Sequence, residues 1–576
     1  MHRKFVSLLA AFITFALSAG VCSSAPTTTE LLRLVPAETS LCFVLQDLRD
    51  HSRRLADSPF AAWLATSTFG KSVFAGDEYR KLMVASKALS EQLGVSVDDL
   101  RDDVFGDAVV LAYQPAPPGK PELESGLLLL RARDPKKLAS LLTRLNEIQT
   151  ASGEVESIVE KSHQKRSYFE RKKKAGKSEF YRIADGLFLA SSQEHALHKA
   201  IEREVDPPKD AADSPFAAAL DRLGLSNAAA ALLFNPRTMD AEWTTSIRTT
   251  DDPRAKAILT QLGSLWTATD AIGLSLHLGK DAELSLGVSM NEKLVPEKIR
   301  PLLGAAEPSA VWGAIPQDAL FAVAGRLDLP NLIAATQTFL PADARASLQT
   351  LLDQTIAPIV GKDQLPNLLR NIGPDWGFWV TAPEKADRTS LPSLTFALRV
   401  RAAGNADEKL AKAARGALDF FFQTFRVEYN RTHDDQYTIG EATAGKDTIA
   451  YLSNEKALPA GVRPAFAIRG DFLVVASTVE AVQRFAPPTA VPKDATGLVL
   501  RASVSKFAEY LAEYKKPLSE VIASWSNRKA GEVVAEFTSA STLLELARSI
   551  DIRRTDEKSH IRITLRIQFA KPLTSK

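Results

Sequence analysis

The sequence predicts an α+β fold: two tandem copies of an antiparallel-sheet unit whose hairpins are interleaved with helices. Two observations lead to this prediction. Short apolar runs end at Gly, Asp and Pro turn signals, and the same motifs occur in the same order in both halves. A chain of 576 residues also exceeds what one hydrophobic core usually serves. The predicted division is a signal peptide over 1–25, a first half over 26–295, a connector over 296–314 and a second half over 315–576.

Matching residues in the two halves support the duplication. Asp107 and Leu130, each beside or within an apolar run, match Asp375 and Leu398 at one common offset of 268 residues. Chance rarely supplies a shared offset for two separate strands. The sequence therefore predicts that one copy can be superposed on the other, strand by strand.

Hairpins with clear turn signals occupy equivalent places in the halves. Two apolar strands flank Asp185-Gly186 in the first half and Gly470-Asp471 in the second, which is a strong hairpin pattern. Near the end of the chain, apolar and polar residues alternate, and this period of two predicts a strand with one buried face. The apolar positions are Ile561, Ile563, Leu565, Ile567 and Phe569.

The helices between strands also have readable starts. Asp134 precedes Pro135, which places a capping carboxylate before a first-turn proline. Leu138, Leu141 and Leu145 follow at helical spacing. The segment is therefore predicted to be a helix with one apolar face.

The N-terminus has the order of a secretory signal peptide. A basic start at His2–Lys4 precedes the apolar run Phe5–Val21, and small residues follow at Ser23–Ala25. Pro26 and the three threonines after it are predicted to form an exposed spacer. The alternatives are an uncleaved N-terminal anchor and lipidation at Cys22. The mature protein is expected to be exported, periplasmic or extracellular, without a membrane span.

Composition narrows the class of partner. The 71 basic and 69 acidic residues leave a formal net charge of +2, which argues against a dedicated nucleic-acid binder. Cys42 would be the one cysteine of the mature chain, within an apolar run, and is predicted to fill the core. No disulfide framework is expected, so stability must come from packing.

No metal or nucleotide motif is complete, and no cofactor is predicted. His195 and His198 lie three apart on a predicted helix beside Glu194, but a metal needs a further ligand, so a surface helix is favoured over a metal site. Gly440–Lys446 resembles a phosphate loop, yet Asp447 stands where the motif needs a hydroxyl. The residues after it also read as a strand, where the motif needs a helix.

Nucleophile motifs are equally incomplete. The chain has no Gly-x-Ser-x-Gly elbow. Ser-x-x-Lys occurs four times, first at Ser162/Lys165, but no Lys-Thr-Gly or Lys-Ser-Gly accompanies it. Paired carboxylates cannot be chosen by spacing alone. No catalytic residue is therefore assigned, and the sequence leans away from an enzyme.

Lys161–Lys177 is the one locally distinctive segment. Its cations could bind a polyanion such as an acidic polysaccharide or a lipid head group. The candidate residues are Lys165, Arg166, Arg171, Lys172, Lys173 and Lys174. Only Glu170 lies inside the segment, so it is predicted to be a solvated, loosely packed extension between strands, and this reading is favoured over a binding site. The second half has Arg431–Asp435 at the place judged equivalent and lacks the positive charge.

Three short motifs resemble a family of exported bacterial proteins, common in planctomycetes and cyanobacteria, that is classed as a domain of unknown function. They are the strand start Val35–Thr39, the passage Leu93–Asp107, and the hairpin from Asp185 to Ser192. The resemblance covers most of the mature chain, but the second half departs from it at Gln317-Asp318 and Pro374. It implies no activity, cofactor or catalytic residue.

Two functions follow as expectations. The first is an exported, non-enzymatic scaffold or interaction protein of the cell envelope, with an unknown protein or envelope polymer as partner. The alternative is an extracytoplasmic hydrolase with an unrecognised site. A catalytic site should occur in one copy and show polar residues whose counterparts in the other copy are apolar.

Overall fold

The computed structural model describes most of the chain and is of the α+β class, with strands that pair antiparallel. The residues described are 25–116, 119–174, 176–208, 214–297, 299–303, 307–339, 342–351, 353–354, 372–384, 391–400, 408–544, 547–557 and 560–570. Within these residues, no helix combines the length and apolarity needed to cross a bilayer. Residues 1–24 of the predicted signal peptide, 1–25, lie outside them.

The chain divides into two compact units, both discontinuous in sequence. Unit 1 comprises Met1–Thr249, Leu265–Leu294 and Lys558–Lys576. Unit 2 comprises Thr250–Ser264 and Val295–Glu557. The last strand of the chain therefore belongs with unit 1.

Unit 1 contains an antiparallel sheet. Its strands are β1 (Leu41–Gln46), β2 (Ala108–Gln114), β3 (Ser125–Arg131), β4 (Val155–His163), β5 (Arg166–Lys173), β6 (Ser178–Ala184), β7 (Leu187–Ser191), β8 (Ala230–Phe234), β9 (Thr269–Leu278), β10 (Asp281–Met290) and β20 (His560–Phe569). Among the described residues they pair in the order β20-β10-β9-β8-β1-β2-β3-β7-β6-β5-β4.

One helix precedes β1 and the others lie in the connections between these strands, and residues 253–264 of the last helix belong to unit 2. The helices are α1 (Ala25–Leu34), α2 (Leu48–Ala56), α3 (Pro59–Thr66), α4 (Thr68–Ala75), α5 (Asp77–Leu93), α6 (Pro135–Ala151), α7 (Glu194–Val205), α8 (Pro215–Arg222), α9 (Asp240–Thr249) and α10 (Pro253–Ala268). The predicted start of α6 is confirmed, since the Asp134 carboxylate accepts hydrogen bonds from the amides of Lys136 and Lys137.

Unit 2 also contains an antiparallel sheet with helices in its connections. Its strands are β11 (Phe321–Arg326), β12 (Asp375–Thr381), β13 (Ser393–Arg399), β14 (Thr438–Ala444), β15 (Asp447–Ser453), β16 (Ala465–Arg469), β17 (Phe472–Ala476), β18 (Leu498–Ala502) and β19 (Ala547–Glu557). Its helices are α11 (Leu329–Phe339), α12 (Ala342–Leu351), α13 (Glu408–Thr432), α14 (Val479–Arg484), α15 (Val504–Ser526) and α16 (Ala530–Leu544).

The two units share one strand order. The described strands of unit 2 pair in the order β19-β18-β11-β12-β13-β17-β16-β15-β14. The unit 1 order runs from β9 to β4 as β9-β8-β1-β2-β3-β7-β6-β5-β4. When ten is added to each of these strand numbers, the result is the strand order of unit 2. The predicted Asp/Gly hairpins are β6–β7 and β16–β17 in this order.

The prediction of one offset for two strands is wrong by a single residue. Leu130 lies opposite Val109, whereas Leu398 lies opposite Trp376. An offset of 268 between β3 and β13 therefore requires one of 267 between β2 and β12. Asp107 then corresponds to Pro374. A shift of one residue reverses the face of every side chain in a strand, and the burial pattern of β12 agrees with the shorter offset.

Both faces of the unit 1 sheet carry apolar clusters. The larger cluster includes Leu31 of α1, Leu197 of α7 and Leu220 of α8 over the central strands. A second cluster contains Leu48, Leu100 and other residues on the opposite face. Cys42 is a free thiol with no exposed surface, so the prediction that it fills the core is confirmed.

The predicted exposed spacer after the signal peptide is instead helical, and one of its threonines is buried. Ala25–Leu34 is a helix in which Thr28, Leu31 and Leu32 have no exposed surface. The threonine run was expected to be exposed because it is polar. Its position one turn before two leucines places Thr28 on the inner face of the helix.

Close packing on the unit 1 sheet depends on two glycines. A Cβ added to Gly273 would lie 2.7 Å from Leu225 Cδ1 and 2.8 Å from Leu223 Cδ1. One added to Gly287 would lie 3.2 Å from Leu223 Cδ2. Both leucines are almost fully buried, so they have little room to move.

We expect Gly273→Ala to lower the free energy of unfolding by about 1–3 kcal/mol through overpacking. Gly279→Ala is the matched control, because a Cβ there meets nothing within 4 Å. Urea unfolding of both variants checks this expectation. Equal stability of the two proteins would contradict the packing shown for Gly273.

His51 is a buried imidazole on α2. It is 6% exposed, and burial lowers its pKa from 6.5 to about 4, while a hydrogen bond with the Leu278 backbone partly opposes that shift. The folded protein therefore favours the neutral ring, whereas the unfolded chain takes up a proton near pH 6.5. Stability is complete above pH 6.5 and is lost as the pH falls towards 4.

This loss should reach about 3 kcal/mol in the wild type, since one pKa unit corresponds to about 1.4 kcal/mol. His51→Gln removes the titrating group, so its stability should fall less between pH 6.5 and 4. His195→Gln, at an exposed position, should keep the wild-type slope. Chemical unfolding at a series of pH values measures all three. Parallel curves for all three proteins would show that His51 does not titrate as described.

Candidate functional site

The predicted basic extension is an ordered β-hairpin. β4 and β5 pair along their length through a two-residue turn, Gln164-Lys165, in which both residues have positive φ. β5 also pairs with β6. The expectation of a loosely packed extension is therefore wrong for this segment, because residues outside it supply the missing carboxylates.

Arg171 and Lys173 point to one face of β5 and are paired there. Arg171 is 7% exposed, and its Nη1 lies 3.3 Å from Glu179 Oε2. Lys173 Nζ lies 2.6 Å from Glu179 Oε1 and 3.6 Å from Glu154 Oε1. These two cations are engaged in the fold and are not available to a polyanion.

The other four candidate cations are exposed. Lys165 lies in the turn, Arg166 and Lys172 lie on the face of β5 opposite Arg171, and Lys174 follows the strand. Within the described part of the chain none of the four forms an ion pair. Arg166 and Lys172 are six residue steps apart, which is about 20 Å of strand. Cations that far apart suit an extended anion better than a small one.

A polar cluster lies under this hairpin, between β4, β5 and α7. Lys161 Nζ is 2.8 Å from Glu194 and 2.9 Å from Glu170. The Tyr168 hydroxyl donates to Glu194 Oε1 at 2.7 Å and lies 3.0 Å from His198 Nε2. Because the hydroxyl donates to Glu194, its lone pair is left to accept from His198.

Burial and charge shift several pKa values in the cluster. Burial, with the hydrogen bond to Glu194, raises the pKa of Tyr168 to about 12. Burial works against ionisation of Glu194, but its bonds from Lys161 and Tyr168 outweigh burial and lower its pKa. Burial and the neighbouring His163 lower the pKa of His198. At neutral pH the cluster therefore holds two carboxylates against one ammonium, with a neutral phenol.

His195 and His198, the two histidines considered as metal ligands in the sequence, do not meet on α7. α7 is a helix as predicted, but His195 is exposed on it and His198 faces β4. The His198 ring stacks on His163 with 3.9 Å between centroids, and His163 Nε2 lies 2.9 Å from Glu202. In the residues described, no group of three or more His, Cys, Asp or Glu side chains could hold a metal ion. Sequence spacing missed His163, since it lies on a distant strand.

The rejected phosphate loop is a hairpin turn. Gly440–Ala444 belongs to β14, and β15 begins at Asp447, with Gly445 at a φ of +63° between them. The prediction of a strand after this motif is confirmed. This hairpin, rather than Arg431–Asp435, is also the counterpart of β4–β5, because both hairpins hold the same place in their sheets.

The polar cluster has mostly apolar counterparts in unit 2. Matching the two-residue turns aligns Lys161 with Ala442, Tyr168 with Ile449 and Glu170 with Tyr451. Matching β7 with β17 through their pairing to β3 and β13 aligns α7 with α14. These matches give the following pairs on the two helices: Glu194 with Val479, and His198 with Gln483.

Unit 2 contains a cleft of about 710 Å³ lined in part by Arg326, Asp328 and Trp376. Arg326 pairs there with Glu307. In unit 1 the corresponding position next to β2 is filled by Leu100 and other core residues. The residues of unit 2 that correspond to Leu100 lie outside the described part of the chain, so this cleft is not taken as a binding site.

Comparison of the chain with protein-family models, with curated proteins and with solved structures finds no match.

Glu194→Gln should weaken the attachment of α7 to the hairpin, because Lys161 and Tyr168 both bond its carboxylate. We expect a loss of about 1–2 kcal/mol, in line with hydrogen bonds to a charged group. Glu156→Gln on β4 is the control, since Glu156 is exposed and should change stability by less than about 0.5 kcal/mol. Hydrogen exchange of the β4–β5 amides and urea unfolding would measure both. Unchanged protection in Glu194→Gln would show that the cluster does not hold the hairpin.

Proposed function

We propose that this chain is an exported, non-enzymatic scaffold or interaction protein of the cell envelope, and that its β4–β5 hairpin contacts an anionic envelope polymer. The observation that carries the proposal is the division of the basic residues between ion-paired and exposed positions. Arg171 and Lys173 are used in ion pairs, whereas Lys165, Arg166, Lys172 and Lys174 stay exposed. A firmly paired hairpin presents the second set at fixed positions.

The rigidity of the β4–β5 hairpin favours a role of its exposed cations in binding over a role in solubility alone. The hairpin is fixed on one face by Arg171 and on the other by the contacts of Lys161 with Glu170 and Glu194. Cations held in place lose less conformational entropy on binding than cations on a mobile loop. An extended polyanion could therefore meet several of them at once.

We also infer that the two units arose by duplication and that the chain belongs with the exported family it resembles. The shared strand order of β8 to β4 and β18 to β14 supports the duplication. Export rests on the N-terminal basic and apolar segments. Burial of Thr28 supports a cleavage point before that residue, since later cleavage would remove part of the core.

A hydrolase is the second candidate, favoured by the asymmetry between the polar cluster and its unit 2 counterparts. Tyr168 is at the centre of that cluster but is 3% exposed. Its hydroxyl is already engaged by Glu194 and His198. A substrate would have to displace these contacts, so a role in holding the hairpin is the better account of the cluster.

Replacing the four exposed cations Lys165, Arg166, Lys172 and Lys174 with glutamine should abolish retention on a heparin-type column without lowering the melting temperature. Wild-type retention should weaken steeply with salt, because exposed charges are screened beyond a Debye length of about 8 Å at physiological ionic strength. Elution salt and thermal unfolding are the two measurements.

A second quadruple variant controls for net charge. Lys71, Lys120, Lys136 and Lys456 are exposed elsewhere on the chain, and changing them to glutamine removes the same number of charges. This control should elute like the wild type. Equal losses in the two variants would mean that retention reflects net charge, and the hairpin would no longer be the binding surface.

A further inference from the structure

The outer edge of β14 in unit 2 is capped at both ends by side chains. At one end, just before the strand, Asn430 Nδ2 donates to the Tyr437 carbonyl oxygen at 2.9 Å, and Asn430 Oδ1 accepts from the Tyr437 N–H at 2.7 Å. At the other end Gln483 Nε2 donates to the Thr443 carbonyl oxygen at 3.0 Å. These two side chains bind backbone groups that a neighbouring strand would otherwise pair.

Between the two caps, the outward backbone groups of Ile439 and Glu441 are open. In an antiparallel strand the N–H and C=O of one residue point to the same edge, and every second residue points the same way. Tyr437 and Thr443 point outward, so Ile439 and Glu441 do as well, while the residues between them face β15. Among the described residues, none bonds the outward groups of Ile439 and Glu441. The edge therefore offers two donors and two acceptors, about 7 Å apart along the strand.

A groove lies between this part of β14 and helix α13. Its volume is about 590 Å³, and its walls include Arg426 and Val427 of α13 and Thr438 and Ile439 of β14. Val427 is 58% exposed. The Arg426 guanidinium is half-buried and has no hydrogen bond or ion pair within the described part of the chain. The groove thus places an apolar surface and an unpaired cation beside an open strand edge.

The open edge selects an extended polypeptide of limited length. Donors and acceptors that repeat at strand spacing are matched by the backbone of an added strand. From Tyr437 to Thr443 there are six residue steps, or about 20 Å, and both ends are occupied, so a partner can pair over about five residues. β14 itself has seven residues, so a second copy paired along the whole edge would meet Asn430 and Gln483.

The groove decides which side chain the partner carries. A partner residue opposite Ile439 points to the same face of the sheet as Ile439, which is the side covered by α13. There it meets Val427 and Arg426, whereas Arg431, the other arginine of the groove, is paired with Glu428 at 2.6 Å. A glutamate fits both groups, because its methylenes can pack on Val427 while its carboxylate bonds the Arg426 guanidinium.

We propose that the β14 edge binds an extended peptide segment of a partner protein by strand addition, with a glutamate of that segment in the groove beside α13. The site uses residues of unit 2 alone. It is therefore independent of the polyanion contact assigned to the β4–β5 hairpin, and either contact can fail a test without the other.

The probe is the blocked, fluorescein-labelled peptide Thr-Val-Glu-Val-Thr, whose β-branched residues favour the extended form. Fluorescence anisotropy measures its binding to the full chain. Lysine in place of its glutamate should weaken binding at least about tenfold, because a charge-assisted hydrogen bond is exchanged for repulsion. Arg426→Gln should remove this preference, so that the two peptides bind alike. Lys456→Gln, at an exposed position after β15, should keep it.

Glu441→Pro tests the backbone contact. Proline removes the outward N–H, and an edge strand tolerates it where that group faces solvent. Binding should fall at least about tenfold with the melting temperature near that of the wild type. Glu441→Ala controls for the lost charge, and Glu160→Pro is the same change at the equivalent edge position of β4. Both controls should bind the peptide at least as tightly as the wild type.

Three results would overturn the proposal. The first is the absence of saturable binding of the glutamate peptide, and the second is an equal loss in Glu441→Pro and Glu160→Pro. The third is a wild-type dimer, seen by sedimentation velocity, that Glu441→Pro dissociates. That result would identify a second copy as the occupant of the edge.

Discussion

Because neighbouring residues of a strand point to opposite faces, one residue of register decides what this protein buries and what it exposes. Along β5 this alternation sends Arg171 to a buried ion pair and leaves Lys172 in solvent. Along β9 it buries Gly273 and exposes Leu274. The exposed lysine of β5 and the exposed leucine of β9 thus follow from the same constraint, applied to a charged residue in one case and to an aliphatic residue in the other.

The sequence was informative where a signal is local. The turn at Asp185-Gly186 and the cap at Asp134 depend on neighbouring residues, and both occur as predicted. Contacts between distant segments were not accessible in this way. Glu179 and Glu154 neutralise Lys173 across strands, so counting carboxylates inside the basic segment overestimated its mobility. The burial of Thr28 likewise depends on where α1 docks.

The candidate site shows a similar division. His198 was noticed through its spacing from His195, but its partners are His163 and Tyr168 on the hairpin. No spacing rule links residues about thirty positions apart on a strand and a helix. The polar cluster also shows that the same strand order tolerates different side chains at one position. Tyr168 forms hydrogen bonds with α7, whereas the equivalent residue of unit 2 is Ile449.

The outer strands of the two sheets have consequences for self-association. Among the described residues β4 pairs only with β5, and β14 only with β15, so each has an open edge. An open edge can accept a strand from another molecule and start a fibre. β4 carries Glu156, Glu160 and Lys161, whereas Glu441 is the one charged residue of β14. A single carboxylate therefore protects this edge of unit 2, so of these two described edges β14 is the one where crowding would first produce aggregates.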